Sequence, residues 1–233
     1  MTDKYKNLRE EAFEANREIP RRNLAIYTWG NVSAFDGNVF AIKPSGVAYD
    51  ALGPESMVVL DLDGAIVAGT LNPSSDTKTH RVLYREFPHI RGITHTHSVY
   101  AVAWAQARRE VPLLGTTHAD HGDRAIPCTP LMDEAAVKND YELETGKLIV
   151  KTFRERDLNS VEMTMVLVAG HGPFTWGKSA AQSVYHAAVL EEICKMAHLT
   201  LSLDPLAQSL PAHITRKHWE RKYGPVAYYG QRR

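Results

Sequence analysis

Gly92-Ile93-Thr94-His95-Thr96-His97-Ser98 places a His-x-His pair at the end of an apolar run. Alternate residues of a strand point to one face with Cα atoms roughly 7 Å apart, so both imidazoles enter one space, within the reach of a single metal ion. Zn²⁺ favours imidazole nitrogen, and a catalytic zinc site typically takes about three protein ligands and keeps a position for water or substrate. A third ligand must then come from elsewhere. Val166-Leu167-Val168-Ala169-Gly170-His171-Gly172-Pro173 offers one, a second apolar run that closes on a histidine beside a glycine. Taken by itself, a His-x-His is short enough to be structural as readily as metal-binding.

Other polar groups gather in turns. Trp29-Gly30-Asn31-Val32-Ser33, Lys43-Pro44-Ser45-Gly46 and Ser74-Ser75 each offer backbone N–H groups, hydroxyls or an amine. Together they could cradle a phosphate dianion, with Lys43 as a point charge and the serine turn at a helix N-terminus; singly, each reads as an ordinary turn. Asp76 has two readings, a helix N-cap or an acidic group at the metal. Residues 118–124, His-Ala-Asp-His-Gly-Asp-Arg, are dense in titratable groups, yet Asp120 and His118 could equally be solvated loop residues. His218 reads by itself as a surface or satisfied histidine, and Tyr229 sits near a terminus, where fraying is the rule.

The elements that must hold these groups follow from periodicity and punctuation. Leu8, Ala12, Ala15 and Ile19 recur at helical spacing and predict an amphipathic helix halted by Pro20. Ile26–Ala34, Val39–Lys43, Met57–Asp61 and Ala65–Ala68 are short runs rich in branched residues, separated by Asp36-Gly37-Asn38 and Asp63-Gly64. They predict an antiparallel meander. Helices are expected over Lys78–Phe87 and Tyr100–Ala107, and a long one from Asp133, its cap, past Lys147 to Arg156. Val111–Thr129 reads as loop, and Met163–Val168 as a buried strand. Ser179-Ala180-Ala181-Gln182 has capping-box spacing and opens a helix to about Leu201, and Ile214–Tyr223 closes the chain before its tail. Hairpins mixed with sheet-covering helices predict an α/β fold, a three-layer α/β/α sandwich with a mixed, mostly antiparallel sheet, as a single domain over 1–233.

Composition narrows the function classes. Lysine plus arginine equals aspartate plus glutamate at 27 each, so no overall field draws nucleic acid or an anionic membrane, and phosphate recognition must be local. No run approaches the ~20 apolar residues of a membrane span. The polar start Met1-Thr2-Asp3-Lys4 shows no secretory core, and Cys128 and Cys194 make neither a disulfide framework nor a metal cluster. The expectation is a reduced, cytoplasmic setting.

Seven ordered motifs carry a resemblance: Thr28-Trp29-Gly30-Asn31-Val32-Ser33, Ile42-Lys43-Pro44-Ser45-Gly46, Pro73-Ser74-Ser75-Asp76-Thr77, His95-Thr96-His97-Ser98, Gly115-Thr116-Thr117-His118-Ala119-Asp120, His171-Gly172-Pro173-Phe174 and Tyr228-Tyr229-Gly230-Gln231. Spread over essentially the whole chain, they resemble the L-ribulose-5-phosphate 4-epimerases of the class II aldolase family. The resemblance implies zinc, or another divalent ion such as Mn²⁺ or Co²⁺, on His95, His97 and His171, with Asp76 as the acidic residue at the metal. It places Asn31, Lys43, Ser45, Gly46, Ser74 and Ser75 around the substrate phosphate, and Thr116 among the substrate contacts. Asp120, Tyr229 and His218 fall at acid/base and substrate-contacting positions. A homotetramer is implied, with active sites between subunits and Asp120 and Tyr229 supplied by the neighbour.

The implied reaction epimerises C4 of L-ribulose 5-phosphate by breaking and remaking the C3–C4 bond. Retro-aldol cleavage puts charge on an enediolate, which a divalent ion stabilises as a Lewis acid. A base on one face and an acid on the other, Tyr229 and Asp120 in an order left open, exchange protons with the C4 oxygen. The chain departs from the pattern at His121-Gly122-Asp123-Arg124, where family epimerases carry an aromatic-rich segment, and at Ala169-Gly170, where a more polar pair is expected. The first departure adjoins Asp120 and bears on substrate shape. The alternative activity is a class II aldolase or lyase acting on a related sugar phosphate, although family aldolases place glutamate at the position of Asp76. A non-catalytic scaffold is the third possibility, which the presence of all three histidines opposes.

Overall fold

The structure is a computed structural model and describes residues 4–224 and Ala227. Helix α1 (Lys6–Arg21) buries Leu8, Ala12, Ala15 and Ile19 as the spacing predicts. Pro20 does not halt it: the ring is accommodated in the last turn, and the helix closes after Arg21. A proline there costs one backbone donor where the helix is ending in any case. The meander follows as β1 (Asn31–Phe35), β2 (Val39–Ile42), β3 (Val58–Asp61) and β4 (Ile66–Ala68). β1 begins at Asn31 rather than Ile26, because residues 26–30 turn back over the site described below.

The remaining elements are α2 (Thr77–Glu86), β5 (Gly92–His95), α3 (Val99–Gln106), α4 (Thr116–Ala119), α5 (Glu134–Glu155), β6 (Met165–Val168), β7 (Gly172–Gly177), α6 (Ala180–Leu203) and α7 (Ala212–Tyr223). α4 interrupts the expected 111–129 loop. β7 is an addition to the expected elements, since Gly-Pro-Phe-Thr-Trp-Gly carries glycine and proline signals within a strand. Both predicted N-caps form. Asp133 accepts from the Ala136 N–H at 2.8 Å and Ser179 from the Gln182 N–H at 3.1 Å. The Gln182 side chain returns to the N–H of Lys178, one residue before the cap.

The seven strands form one sheet in the order β4-β3-β2-β1-β5-β7-β6, with every strand pair antiparallel. The parallel component reduces to an isolated bridge between Cys128 and Leu167. Side-chain alternation divides the core in two. Val32, Ala34, Ala41 and Val59 pack against α1 and the start of α6, whereas Phe40, Ile42, Val58, Leu60 and Ile93 join the larger core with α2, α3 and α5. Helices thus cover both faces, which makes the three layers and explains why the strands show no polar stripe. Asn16 locks the first layer to the sheet: buried on α1, it donates to the Val32 carbonyl at 2.9 Å and accepts from the Val32 N–H at 2.8 Å. Among the described residues no helix is long and apolar enough to cross a membrane.

Candidate metal centre and phosphate cradle

The strand ends at the β1/β5/β7 side of the sheet converge on a cavity of about 380 Å³ lined by Asn31, Lys43, Ser45, Gly46, Ser74, Ser75, Asp76, His95, His97 and His171. His95 is the last residue of β5, and His97 lies just past the strand end. His171 sits in the turn between β6 and β7, which Gly170 makes possible at φ +74. The outer loop comes close: a Cβ on Gly30 would stand 2.8 Å from the His95 carbonyl oxygen, and its φ of +73 also favours glycine. Tyr49 fixes that loop by donating its hydroxyl to the Trp29 carbonyl at 2.7 Å.

Ligand atoms of His95, His97 and His171 all lie within 4.8 Å of one another. The Nδ1 of His95 is 2.9 Å from the Pro173 carbonyl, which can only accept, so this nitrogen carries the proton and Nε2 presents a lone pair. That Nε2 faces Nε2 of His97 at 3.1 Å. Burial lowers the proton affinity of all three imidazoles, His171 to about 4. Neutral, convergent nitrogens with a carbonyl-oriented tautomer are what a divalent cation requires. The donor set therefore fits such an ion, and three imidazoles suit Zn²⁺, Mn²⁺ or Co²⁺.

Asp76 occupies the N-cap position of α2, but its side chain makes no capping bond. It turns to the cavity, where Oδ2 accepts from Asn31 Nδ2 at 2.7 Å. Burial opposes its ionisation, but His95 and His80 with the Asn31 bond win and hold the carboxyl below its usual range. Its side chain is therefore not the helix cap, and it lines the cavity beside the histidines without joining the group of ligand atoms within 4.8 Å of one another.

The two phosphate-type turns are zipped side by side. Ser74 N–H donates to the Lys43 carbonyl at 3.0 Å, Ser45 N–H to the Asn72 carbonyl at 2.9 Å, and Pro44 bridges Pro73. The Ser74 hydroxyl accepts from the Asp76 N–H at 3.3 Å and keeps its own O–H to donate, and Ser45 and Ser75 stand exposed at the cavity. Lys43 is only 1% exposed. Its Nζ donates to the carbonyls of Thr28 at 3.2 Å and Pro44 at 3.4 Å and lies 5.0 Å from the Tyr49 ring centre. Burial brings this amine down to about 8. A buried ammonium with carbonyl and ring partners but no carboxylate among the described residues is set to receive an anion.

Two lining residues escape the sequence reading, Tyr141 and Glu142. They arrive through a break in α5, where Asp140 is extended (φ −162, ψ 91) and restarts the helix. Tyr141 places its hydroxyl 3.3 Å from His171 Nδ1. An acidic pair, Asp140 and Glu142, at the start of the apolar pattern is the available signal.

Three expected site residues are elsewhere. Thr116, exposed on α4, Asp120 at its end and His218 on α7 do not line the cavity. Asp120 and His218 nonetheless meet each other, His218 Nδ1 lying 3.0 Å from Asp120 Oδ1. Asp120 is therefore not a solvated loop residue, and His218 is a satisfied, partly buried histidine, one of its two sequence readings. Tyr229 lies outside the described residues.

Residues 10–198 match the model of the class II aldolase and adducin N-terminal domain. The chain belongs to this family. Among its family relatives, the L-ribulose-5-phosphate 4-epimerase UlaF of Salmonella paratyphi C (strain RKS4594) is 46% identical over 227 residues, covering 97% of this chain and 99% of that protein. The protein of the same name from Salmonella paratyphi B is 45% identical over the same length and shares. Among solved structures, an L-fuculose 1-phosphate aldolase superposes with a TM-score of 0.77 at 22% identity, covering 95% of this chain and 97% of that one. The L-fuculose-1-phosphate aldolase of Thermus thermophilus gives 0.66 at 21%, covering 87% and 98%. These two show the family's fold, and the three-layer architecture is theirs.

Proposed function

We propose that the protein is a divalent-metal-dependent epimerase that interconverts L-ribulose 5-phosphate and D-xylulose 5-phosphate. One observation carries this reading: a single cavity joins the three-histidine cluster to a buried lysine that lacks a carboxylate partner among the described residues, which suits a phosphorylated, oxygen-rich ligand. The 46% identity to an epimerase over nearly the full length supports the choice of reaction.

A divalent ion, zinc by preference, held by His95, His97 and His171 near Asp76 supplies Lewis-acid stabilisation of the negative charge that C3–C4 cleavage develops. The chain's own residues do the rest. His95 is oriented by the Pro173 carbonyl, so its lone pair needs no reorganisation. Asn31 holds Asp76 at the edge of the cluster. Lys43, Ser45, Gly46 and Ser75 hold the phosphate, with Ser74 bracing the turn, so the two-carbon aldehyde fragment can rotate without leaving. On rotation it presents its other face to the carbon–carbon bond that re-forms, which inverts C4.

Protons must be taken from and returned to the C4 oxygen on opposite faces of the substrate in this cavity. Asp120, His218 and Thr116 lie away from it in the same chain. We assign Asp120 and Tyr229 these proton transfers, with His218 and Thr116 as substrate contacts, delivered by a neighbouring copy in a homotetramer of one-domain subunits. The unbonded thiols of Cys128 and Cys194 accord with a cytoplasmic enzyme.

A coupled assay for D-xylulose 5-phosphate tests the reading, with zinc-loaded protein beside a chelated sample and a His97→Ala variant. Turnover abolished by both treatments is expected. An accumulating two-carbon aldehyde phosphate in place of the epimer would identify a lyase instead.

A further inference from the structure

Asp120 ends the four-residue helix α4, and it is 7% exposed. α7 crosses it with a row of cationic and titratable side chains. Arg221 straddles the carboxylate: Nε donates to Oδ1 at 2.9 Å and Nη2 donates to Oδ2. His218, one turn earlier on the same face, meets Oδ1 from another direction, and Lys222 Nζ stands 3.9 Å from Oδ2. His121, next in the chain, is held away from this contact. Its Nδ1 donates to the Thr117 carbonyl at 2.9 Å and its Nε2 accepts from the Tyr185 hydroxyl at 2.7 Å.

From this geometry we propose that Arg221 is a positioning residue for the epimerisation, its guanidinium fork fixing the plane and direction of the Asp120 carboxylate while docking the helix from which the C-terminal tail departs. The proposal rests on the epimerase reading and deepens it. Both oxygens of Asp120 are engaged by one planar group, a match that a lysine could supply in charge but not in orientation. The same contact ties α7 to α4, and Tyr229 lies eight residues beyond Arg221 in the sequence. One side chain therefore braces one proton-transfer group directly and holds the base of the segment that carries the other. Arg221 itself exchanges no proton.

The charge around Asp120 gives a readout that a purely structural brace would not. The groups facing it are His218, Arg221, Lys222 and Tyr223 from α7 and His121 from its own loop. Burial opposes the ionised carboxyl, but the bonds from Arg221 and His218, with the charge of Lys222, overcome it and hold the group below the ordinary carboxylate range. Removing the guanidinium lets the carboxyl rise. A step that needs ionised Asp120 then loses rate at a higher pH than in the parent.

The test compares Arg221→Ala, Arg221→Lys and Asp120→Asn in metal-loaded full-length protein, assaying L-ribulose 5-phosphate turnover across pH. Arg221→Ala is expected to lower kcat about 10- to 100-fold with little change in KM, the scale of a misplaced catalytic group. Its acid limb should move to higher pH, and millimolar guanidinium should restore part of its turnover but none of that lost in Asp120→Asn. Arg221→Lys should keep the acid limb near the parent position while its kcat stays low. If Arg221→Ala melts early, Arg221→Lys carries the test: lowered kcat in a folded, metal-replete protein supports the proposal, and parental kcat overturns it. An unchanged kcat and pH profile in Arg221→Ala beside an inactive Asp120→Asn overturns the positioning role alone. Full turnover in Asp120→Asn overturns it together with the assignment of Asp120.

Discussion

In the proposed phosphate cradle, Lys43 would give up stability for binding. Its folded amine titrates near 8 because burial disfavours the charged form, against 10.5 when unconfined. Below about 8 both folded and unfolded chains hold the proton, and folding bears the cost of burying a cation. Between 8 and 10.5 the unfolded chain binds more protons, so the contribution of this group to stability rises with pH through that window. Binding runs the opposite way, since a phosphate dianion needs the ammonium. kcat/KM for the phosphorylated substrate should therefore fall as pH rises through about 8, as the free enzyme loses the charge. Lys43→Met should raise KM roughly 10- to 150-fold, the worth of a charge-assisted hydrogen bond of about 1.5–3 kcal/mol, with kcat less affected. Steady-state kinetics at several pH values check both, and a KM that ignores the substitution would remove Lys43 from the phosphate cradle. At this scale Lys-Pro-Ser-Gly makes a candidate phosphate-binding amine legible in the sequence. Its burial without a carboxylate partner among the described residues is not, because that depends on Tyr49 and the Thr28 carbonyl, which reach it from elsewhere in the fold.

α5 is the element whose local chemistry bears most directly on the site. Asp140 caps the restarted helix by accepting from the Leu143 N–H at 3.3 Å, and its other oxygen accepts from Lys78 Nζ at 2.7 Å. Lys78 lies two residues beyond Asp76, so this clamp fixes the start of α5's long arm to the start of α2. Behind it the helices touch closely: a Cβ on Gly146 would stand 2.7 Å from Val82 Cβ. Asp140→Ala removes a cap worth about 1 kcal/mol and should lower Tm by roughly 2–4 °C in a chain of this size. It should also weaken metal retention, because Tyr141 loses its aim at His171. Calorimetry and titration with a competing chelator check the two effects, and intact metal affinity would show that Tyr141 does not depend on the clamp. The sequence makes the helix and its Asp133 cap legible. The break is marked only by the Asp140 and Glu142 acidic pair, because the pattern on both sides of Asp140 is helical, and the cross-contact to α2 selects the second start. β7 is hidden for a related reason: Gly172, Pro173 and Gly177 are poor strand residues alone, yet pairing with β5 on one side and β6 on the other overrides their propensity.

At the scale of the whole molecule, the site residues among the described ones separate into two groups that do not meet within one chain. The histidine cluster, Asp76 and the Lys43 turn share a cavity at the sheet's end, while Asp120, His218 and Arg221 form a cluster on α4 and α7. Sequence order could supply both groups but not their separation, since motif spacing carries no information about which copy of the chain completes which site. The proposed homotetramer with sites between subunits would reconcile the two, and it makes a quantitative demand. His97→Ala and Asp120→Asn should each be inactive as pure proteins, one for want of a metal centre and the other for want of a proton-transfer group. Co-expressed in equal amounts with distinct tags and isolated as a mixture, they form some sites that take histidines from one variant and the carboxylate from the other. Random assembly in a ring gives about one quarter of sites with both parts intact, so the mixture should recover about a quarter of parental kcat per site. Sites built within one chain would give none, because every chain in the mixture lacks one of the two parts. Activity per chain, compared between the pure variants and the co-expressed mixture, therefore decides whether the acid/base cluster serves its own chain's cavity or a neighbour's.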